Sequence, residues 1–483
     1  MAPEFAPAIA HIPSINESPR PMFTSLTATR FFFVLLTALV SSNLFAQEFM
    51  AGVGRADITP AGPIRLAGYA SRNKPSEGVY QHLFAKALAL QDSTGAVTLI
   101  ITADTIGTPR SFNDKLASQI EAELKIPRDR FVFACSHSHS TPVIQNALSD
   151  MYGLEGEEAK TVEAYTAFFL QQSVEAAKAA LKDLESASLS FGRSEAFFAG
   201  NRRQFGLNGV GFGYNPNGLV DRDVPVLKVA RADGSLKGVL FGYACHCTTL
   251  GPNYEIGPDW AGFAAQAIET TFPGSTALFI TGCGADANPY PRGTMMLSNG
   301  HGLQLAGAVS RALNEPMIPV TGPISAAFDR VDLPLAKLPD KSYYEAKLQE
   351  KPLPTKRYAQ RFLDMLARGE ALPQSYPAPV QVFRFGDAFT LIAMSGEVVA
   401  DYSYRLKREL PGERLWNAGY CNDVFAYVPS MRILTEGGYE ADASIIYYGL
   451  PIRFAPAIED MLIKKVLELV KKTGGKVPVP TKP

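Results

Sequence analysis

Apolar residues gather in short, mostly continuous runs along this chain, at 97–102, 130–134, 224–230, 238–244, 277–281 and 389–394. A strand with one wet face alternates polar and apolar residues, so runs without alternation predict strands covered on both faces. Helices are predicted between them, at 112–124, 158–184, 262–271, 301–313, 341–368, 397–409 and 456–472. Strands and helices interleave. The expected class is therefore α/β, a mixed multi-stranded sheet core with flanking helices and long active-site loops. No internal repeat is evident. The Pro-rich stretch 370–380 reads as a connection and a candidate boundary, and the tail after Lys471 is expected to fray.

One more apolar run, Phe31–Val40, follows Arg30 and gives way to small residues up to Ala46. At about ten residues it suits a signal-peptide core and is too short to span a bilayer. This predicts a leader and signal peptide over 1–46, cleavage after Ala46, and a catalytic domain over 47–483 exported to the periplasm or the exterior. Residues 1–21 are Pro-rich, and counting from Met22 gives a standard signal peptide. The rival reading is an uncleaved membrane anchor.

Composition narrows the function classes. A formal net charge of −1 gives no basic stripe, so no nucleic-acid partner is expected. The length of 483 residues allows one large core or two to three domains. The cysteines, Cys135, Cys245, Cys247, Cys283 and Cys421, are odd in number and lack CxxC spacing. They read as small buried thiols at strand ends, with a cysteine ligand or one disulfide as alternatives.

Six histidines occur, and their placement is informative. His137 and His139 follow a predicted strand within Cys135–Pro142. If the chain stays extended, alternate residues share a face, so both imidazoles can look into one cavity, a frequent metal-ligand arrangement. Two loop histidines bonded to backbone is the competing reading. His246 closes a second strand, and ligands gather at carboxyl ends of strands in α/β sheets. Asp259 opens a helix, either as its cap or to orient a histidine or substrate. Asp286 lies in a glycine-rich turn after the strand 277–281, where it could act on substrate or make an Asx-turn. Glu397 starts a predicted helix, and Tyr427 by itself reads as a core aromatic.

Taken in order, these motifs resemble the catalytic domain of the neutral (non-lysosomal) ceramidase family. The resemblance rests on Gly52–Pro60, Ser136–Pro142, Asn201-Arg202-Arg203, His246, Gly396-Glu397 and Asn422–Tyr427. It covers roughly residues 51 to 450. It implies one Zn²⁺ per chain held by His137, His246, Glu397 and Tyr427, with positioning or substrate roles for His139 and Arg202. Such a site lowers the pKa of bound water to about 7 and polarises a carbonyl. The implied substrate is an N-acylated lipid such as ceramide, or another small amide, and a lipid substrate adds contact with a membrane surface. A zinc hydrolase of a non-lipid amide or ester, or a metal-binding relative without turnover, are the alternatives.

The sequence departs from the family pattern twice. Ala287 stands where the family carries a serine in the turn at Gly284–Pro289, and no counterpart of the family's C-terminal immunoglobulin-like domain is expected. With no hydroxyl at 287, and with Ser136, Ser138 and Ser140 expected to point away from the histidines, water at the metal is the expected nucleophile. Asp286 is the preferred base and Asp259 the second choice. Arg202 is expected to serve turnover rather than folding.

Overall fold

The computed structural model describes residues 49–478. The leader, its cleavage point and His11 lie outside the described residues, and no described helix is long and apolar enough to cross a membrane. The apolar runs become strands close to their expected bounds, and they divide between two sheets. Nine strands form the first. Its path runs Thr276–Thr281, Leu236–Tyr243, Asp223–Arg231, Glu185–Glu195, Phe49–Asp57, Phe84–Gln91, Val97–Ala103, Phe131–Cys135, with Ile318–Pro319 beside Glu185–Glu195. The outermost pair at each end is parallel and the middle is antiparallel. The second sheet orders Ile324–Pro334, Ser375–Phe385, Phe389–Met394 and Leu415–Ala418, the last two parallel.

The two sheets pack face to face. Leu88, Val132, Leu240 and Ile280 of the first sheet share one buried apolar cluster with Phe383, Leu391 and Trp416 of the second. Both faces of these strands are therefore dry, which is why their sequences lack alternation. Helices cover the outer faces. Arg110–Leu124 and Gly156–Lys182 lie over one half of the first sheet, and Asp259–Thr271 with Met295–Asn314 over the other. Ala400–Glu409 and Ile458–Lys472 cover the second sheet. The result is four layers, helix–sheet–sheet–helix. The N-terminal glycines belong to this packing. A Cβ at Gly52 would lie 2.0 Å from the Ala180 carbonyl oxygen, and one at Gly54 2.0 Å from that of Ala176. Helix Gly156–Lys182 can lie this close to strand Phe49–Asp57 only because both are glycine.

Several expectations change. The supposed connection at 370–380 runs into strand Ser375–Phe385, whose prolines Pro377 and Pro379 do not prevent pairing with both neighbours. Proline is costly where an N–H must join the ladder, but here Val380–Phe385 carry the pairing to Phe389–Met394. The helix expected over 341–368 is two, Lys341–Lys347 and Leu353–Ala367, broken at Pro352. Glu397 does not begin a helix. It lies in a two-residue strand, Glu397–Val398, paired in parallel with Tyr427–Val428.

Candidate metal centre

Strand ends from both sheets meet in one place. Phe131–Cys135, Leu236–Tyr243 and Thr276–Thr281 end there from the first sheet, and Phe389–Met394 and Leu415–Ala418 from the second. Bridges Ala134↔Cys421 and Gly282↔Ala418 tie the two sheets at this seam. The loops that leave these strands carry the candidate residues.

His137 does not sit in an extended chain. The strand stops at Cys135, and His137 adopts a left-handed φ of 58°. That conformation costs a non-glycine residue roughly 1–2 kcal/mol. Hydrogen bonds around it hold it there: the His137 amide donates to the Thr105 carbonyl at 2.9 Å, and the His139 amide to that of Cys247 at 3.1 Å. The two imidazoles still converge, Nε2 to Nε2 at 3.2 Å, but through loop geometry rather than strand alternation.

The imidazole tautomers follow from their partners. His137 Nδ1 faces the Ile106 carbonyl at 2.5 Å, and His246 Nδ1 the Gly284 carbonyl at 3.0 Å. A carbonyl only accepts, so both Nδ1 atoms carry the proton and both Nε2 atoms present lone pairs. Glu397 Oε2 lies 3.2 Å from each of these Nε2 atoms. The Tyr427 hydroxyl is 3.3 Å from His246 Nε2, placed there by the register Glu397↔Tyr427. Burial, aided by the Arg202 cation, lowers the His246 imidazole to about 3. A neutral imidazole is the ligand form.

Lone pairs from two imidazoles and one carboxylate thus meet without a proton to share between them. Ligand bonds of about 2.0–2.1 Å arranged tetrahedrally leave about 3.3–3.4 Å between neighbouring ligand atoms, close to the spacings seen. The donor set fits a metal ion. Ligand atoms of His137, His139 and His246 all lie within 4.8 Å of one another, so a third imidazole is also in reach. Two tyrosines steady the carboxylate: Tyr448 donates a short hydrogen bond to Glu397 Oε1, and Tyr420 approaches Oε2 at 3.4 Å.

Arg202, expected to serve turnover rather than folding, is buried. It lies in strand Ala199–Gly206 and its Nε donates to Glu440 at 2.8 Å. Its Nη2 donates to the Tyr427 hydroxyl at 3.0 Å, and Nη1 stands 3.1 Å from His246 Nε2. Glu440 also takes Arg203 at 2.6 Å, so one carboxylate serves two buried cations. Arg202 is therefore structural as well as adjacent to the centre.

The two aspartates are placed differently from expectation. Asp286 is fully buried, not in an exposed turn. Its carboxylate accepts from Asn201 Nδ2 at 2.9 Å and the Ala400 amide at 3.0 Å, and its carbonyl accepts from the Arg202 amide at 2.8 Å. It fixes the strand that carries Arg202 and does not line the cavity. Burial pushes its carboxyl up to about 6. Asp259 accepts from the Trp260 amide at 2.7 Å and from Ser298 at 2.8 Å, and Trp260 Nε1 donates to the His246 carbonyl at 2.9 Å. It braces the backbone behind His246 instead of facing it. Ala287 is buried in a short strand opposite Asn201. All five cysteines are free and buried, with no disulfide among them. His82 pairs with Asp57, and His301 with the Pro291 carbonyl, away from the centre.

A cavity of about 460 Å³ opens onto the centre, lined by His139, Arg202, Thr248, Arg292, Tyr427 and Tyr439 among others. Cavities elsewhere, of about 370 and 550 Å³, are lined by none of these residues. His139 is the histidine that faces this space. Its Nδ1 has no hydrogen-bond partner, and burial together with His137 and His246 holds its pKa well below the usual value. Sequence reading missed Tyr448, Tyr420, Glu440 and Thr248. The first and third come from the segment 439–448, where five tyrosine and acidic positions crowd into ten residues; that density was the available signal.

Fold and centre together define a two-sheet α/β protein with a histidine–carboxylate cluster able to hold a metal at its strand ends. The family model for the neutral/alkaline non-lysosomal ceramidase N-terminal region matches residues 49–292, and the chain belongs to that family. A neutral ceramidase of Drosophila melanogaster is 25% identical over 114 residues, a match that reaches 23% of this chain and 16% of the fly protein. The crystal structure of neutral ceramidase from Pseudomonas aeruginosa superposes with a TM-score of 0.69 at 18% identity, covering 90% of this chain and 76% of that one. A structure described as a ceramidase complexed with C2 gives 0.67 at 17%, with 90% and 77% covered. At these identities the likeness is one of fold.

Proposed function

We propose that this chain is a zinc-dependent amide hydrolase acting on N-acylated lipids of the ceramide type. The observation that carries this reading is the meeting of two metal-facing imidazole Nε2 lone pairs with the Glu397 carboxylate at 3.2 Å, beside the cavity. Family membership supports the substrate class, since the relatives are described as ceramidases and one as complexed with C2.

In this proposal His137, His246, Glu397 and Tyr427 would hold the ion. Bound Zn²⁺ supplies Lewis acidity, which polarises the amide carbonyl and acidifies water near neutral pH. The other roles belong to the protein. With Asp286 and Asp259 both turned away, His139 becomes the base: it lines the cavity, is neutral and keeps a free ring nitrogen. A water attacks the amide carbonyl carbon, His139 takes its proton, and the same proton passes to the departing amine as the C–N bond breaks. Carboxylic acid and amine are the products. The guanidinium of Arg202 supports the developing oxyanion and holds Tyr427.

The test is zinc content and turnover together. Protein purified without chelator is expected to carry about one zinc per chain, to release fatty acid and sphingosine from N-acylsphingosine, and to lose turnover on metal stripping. Protein that neither retains nor rebinds zinc sinks the metal reading. Rapid turnover of short N-acyl amines with none of N-acylsphingosine sinks the lipid reading. Export through the 1–46 leader is part of the same proposal, checked by sequencing the N-terminus of secreted protein.

A further inference from the structure

Strands Ala199–Gly206 and Gly209–Asn215 form a hairpin closed by Leu207 and Asn208. No charged residue occurs between Arg203 and Asp221. The tip is apolar and outward-facing: Leu207 is fully exposed, Phe205 and Phe212 are each 60% exposed, and Tyr214 is 53% exposed. Scattered exposed apolar residues need no explanation, but a contiguous uncharged patch on one projecting element does. A hairpin tip has no groove to receive a protein segment. Its root, in contrast, belongs to the centre. Arg202 comes from the first strand, Phe212 and Gly213 line the cavity, and Tyr214 packs on the cavity residue Tyr290 with ring centroids 4.9 Å apart.

We infer that this hairpin inserts its tip into a lipid surface and sets the cavity mouth at the level of the headgroups. Leu207 lies five residue steps beyond Arg202, about 17 Å at the usual strand rise. Interfacial elements bury their apolar face about 5–10 Å deep. Seating the tip at that depth leaves Arg202 and the cavity just above the surface, where an acylated headgroup drawn partly out of the bilayer would reach them. The absence of charge predicts binding to neutral bilayers, weakly dependent on salt. This inference rests on the lipid-amide reading for its purpose but not for its test.

The mature protein is floated with phosphatidylcholine vesicles free of substrate. Wild type is expected to float with the vesicles. Losing one apolar anchor costs roughly tenfold in partition, so Phe205→Ser combined with Leu207→Asp is expected to weaken binding about 100-fold. Neither residue lines the cavity, so hydrolysis of a water-soluble short-chain N-acyl amide and the melting temperature should stay at wild-type values. Leu207→Trp gives a second measurement, because Trp260 and Trp416 are both buried: its emission should shift to the blue on adding vesicles and be quenched by brominated lipid. Wild type that stays with the soluble fraction, a double variant that floats equally well, or a Leu207→Trp emission that vesicles leave unchanged overturns the inference. So does a lipid-free dimer that the double substitution dissolves. Flotation without any amide hydrolysis would overturn the proposed activity and leave the lipid surface standing. Hydrolysis without flotation would do the reverse.

Discussion

Replacing Arg202 by alanine separates two roles that its position joins. The guanidinium pairs with Glu440 at 2.8 Å and donates to Tyr427 at 3.0 Å, and both Arg202 and Glu440 are almost wholly buried. Removing one partner of a buried ion pair costs about 3–5 kcal/mol, because the other charge is left uncompensated. Arg203 still reaches Glu440 at 2.6 Å, which favours the lower end, about 3 kcal/mol. Unfolding entropy of about 2.1 cal/mol/K per residue over some 430 residues gives about 0.9 kcal/mol/K. The melting temperature of Arg202→Ala should therefore fall by about 3 °C. Arg202→Lys keeps the charge opposite Glu440 but not the fork that also reaches Tyr427. It should keep most of the stability and lose on the order of 10²-fold in kcat. Adding Glu440→Gln to Arg202→Ala should recover part of the lost stability, since no carboxylate then needs the missing cation. Scanning calorimetry, zinc content and kcat on the same samples read all three. An unchanged melting temperature in Arg202→Ala would refute the buried-pair argument. Wild-type kcat in Arg202→Lys would refute the role of the fork.

Other outcomes follow from the same geometry. Tyr448→Phe removes a hydrogen bond to Glu397 and should weaken zinc binding about 10–100-fold by competition with a chelator, whereas Glu397→Gln should weaken it further; equal affinities in the two variants would displace Glu397 from the ligand set. At Gly68, which has φ +95°, a Cβ would fall 2.2 Å from His139 Nδ1. Gly68→Ala should displace that imidazole and lower kcat on the order of 10²-fold with zinc still bound; unchanged kcat would exclude His139 as the base. Burial pushes the Asp423 carboxyl up to about 7, above its ordinary 3.8, against the Tyr376 hydroxyl and Arg110 that favour its charged form. The folded state then binds this proton more tightly than the unfolded one. The contribution is complete below pH 4, fades as pH rises to about 7, and is absent above that. The melting-temperature advantage of wild type over Asp423→Asn should shrink across that window, and a constant difference would contradict the assignment. Intact mass during turnover should show no acyl-enzyme; an adduct would point to Thr248, a hydroxyl residue in the cavity lining.

The strands were legible because their burial is two-sided. Val97–Ala103, Asp223–Arg231 and Phe389–Met394 are largely covered on both faces and carry mostly apolar runs without alternation, the one local signal that survives without knowing the partner. Strands Phe49–Asp57, Glu185–Glu195 and Ile324–Pro334 went unread because glycine, serine and charged residues interrupt them. They are held by pairing with neighbours distant in sequence, which no window along the chain contains. The division into two packed sheets was invisible for the same reason. Apolar runs report that a strand is covered on both sides, but a helix and a second sheet leave the same signature.

The centre was legible as chemistry and misread as geometry. His137, His246 and Glu397 do converge, yet two of the local arguments for them fail: His137 is left-handed rather than extended, and Glu397 lies on a two-residue strand rather than a helix. Ordering of motifs along the chain located the residues where local conformation could not, because side chains that meet at one seam must come from the ends of specific strands whatever path the loops take. The aspartates show the limit of that approach. Asp286 and Asp259 sit in the same motifs and were assigned to chemistry by proximity in sequence. Their carboxylates instead accept from Asn201, Ala400, Trp260 and Ser298, which fix the strand bearing Arg202 and the backbone behind His246. A buried carboxylate with its acceptor sites filled by amide and hydroxyl donors has little left with which to take a proton from substrate. His139 differs in that its Nδ1 is unengaged. His139 also lines the cavity, which neither aspartate does.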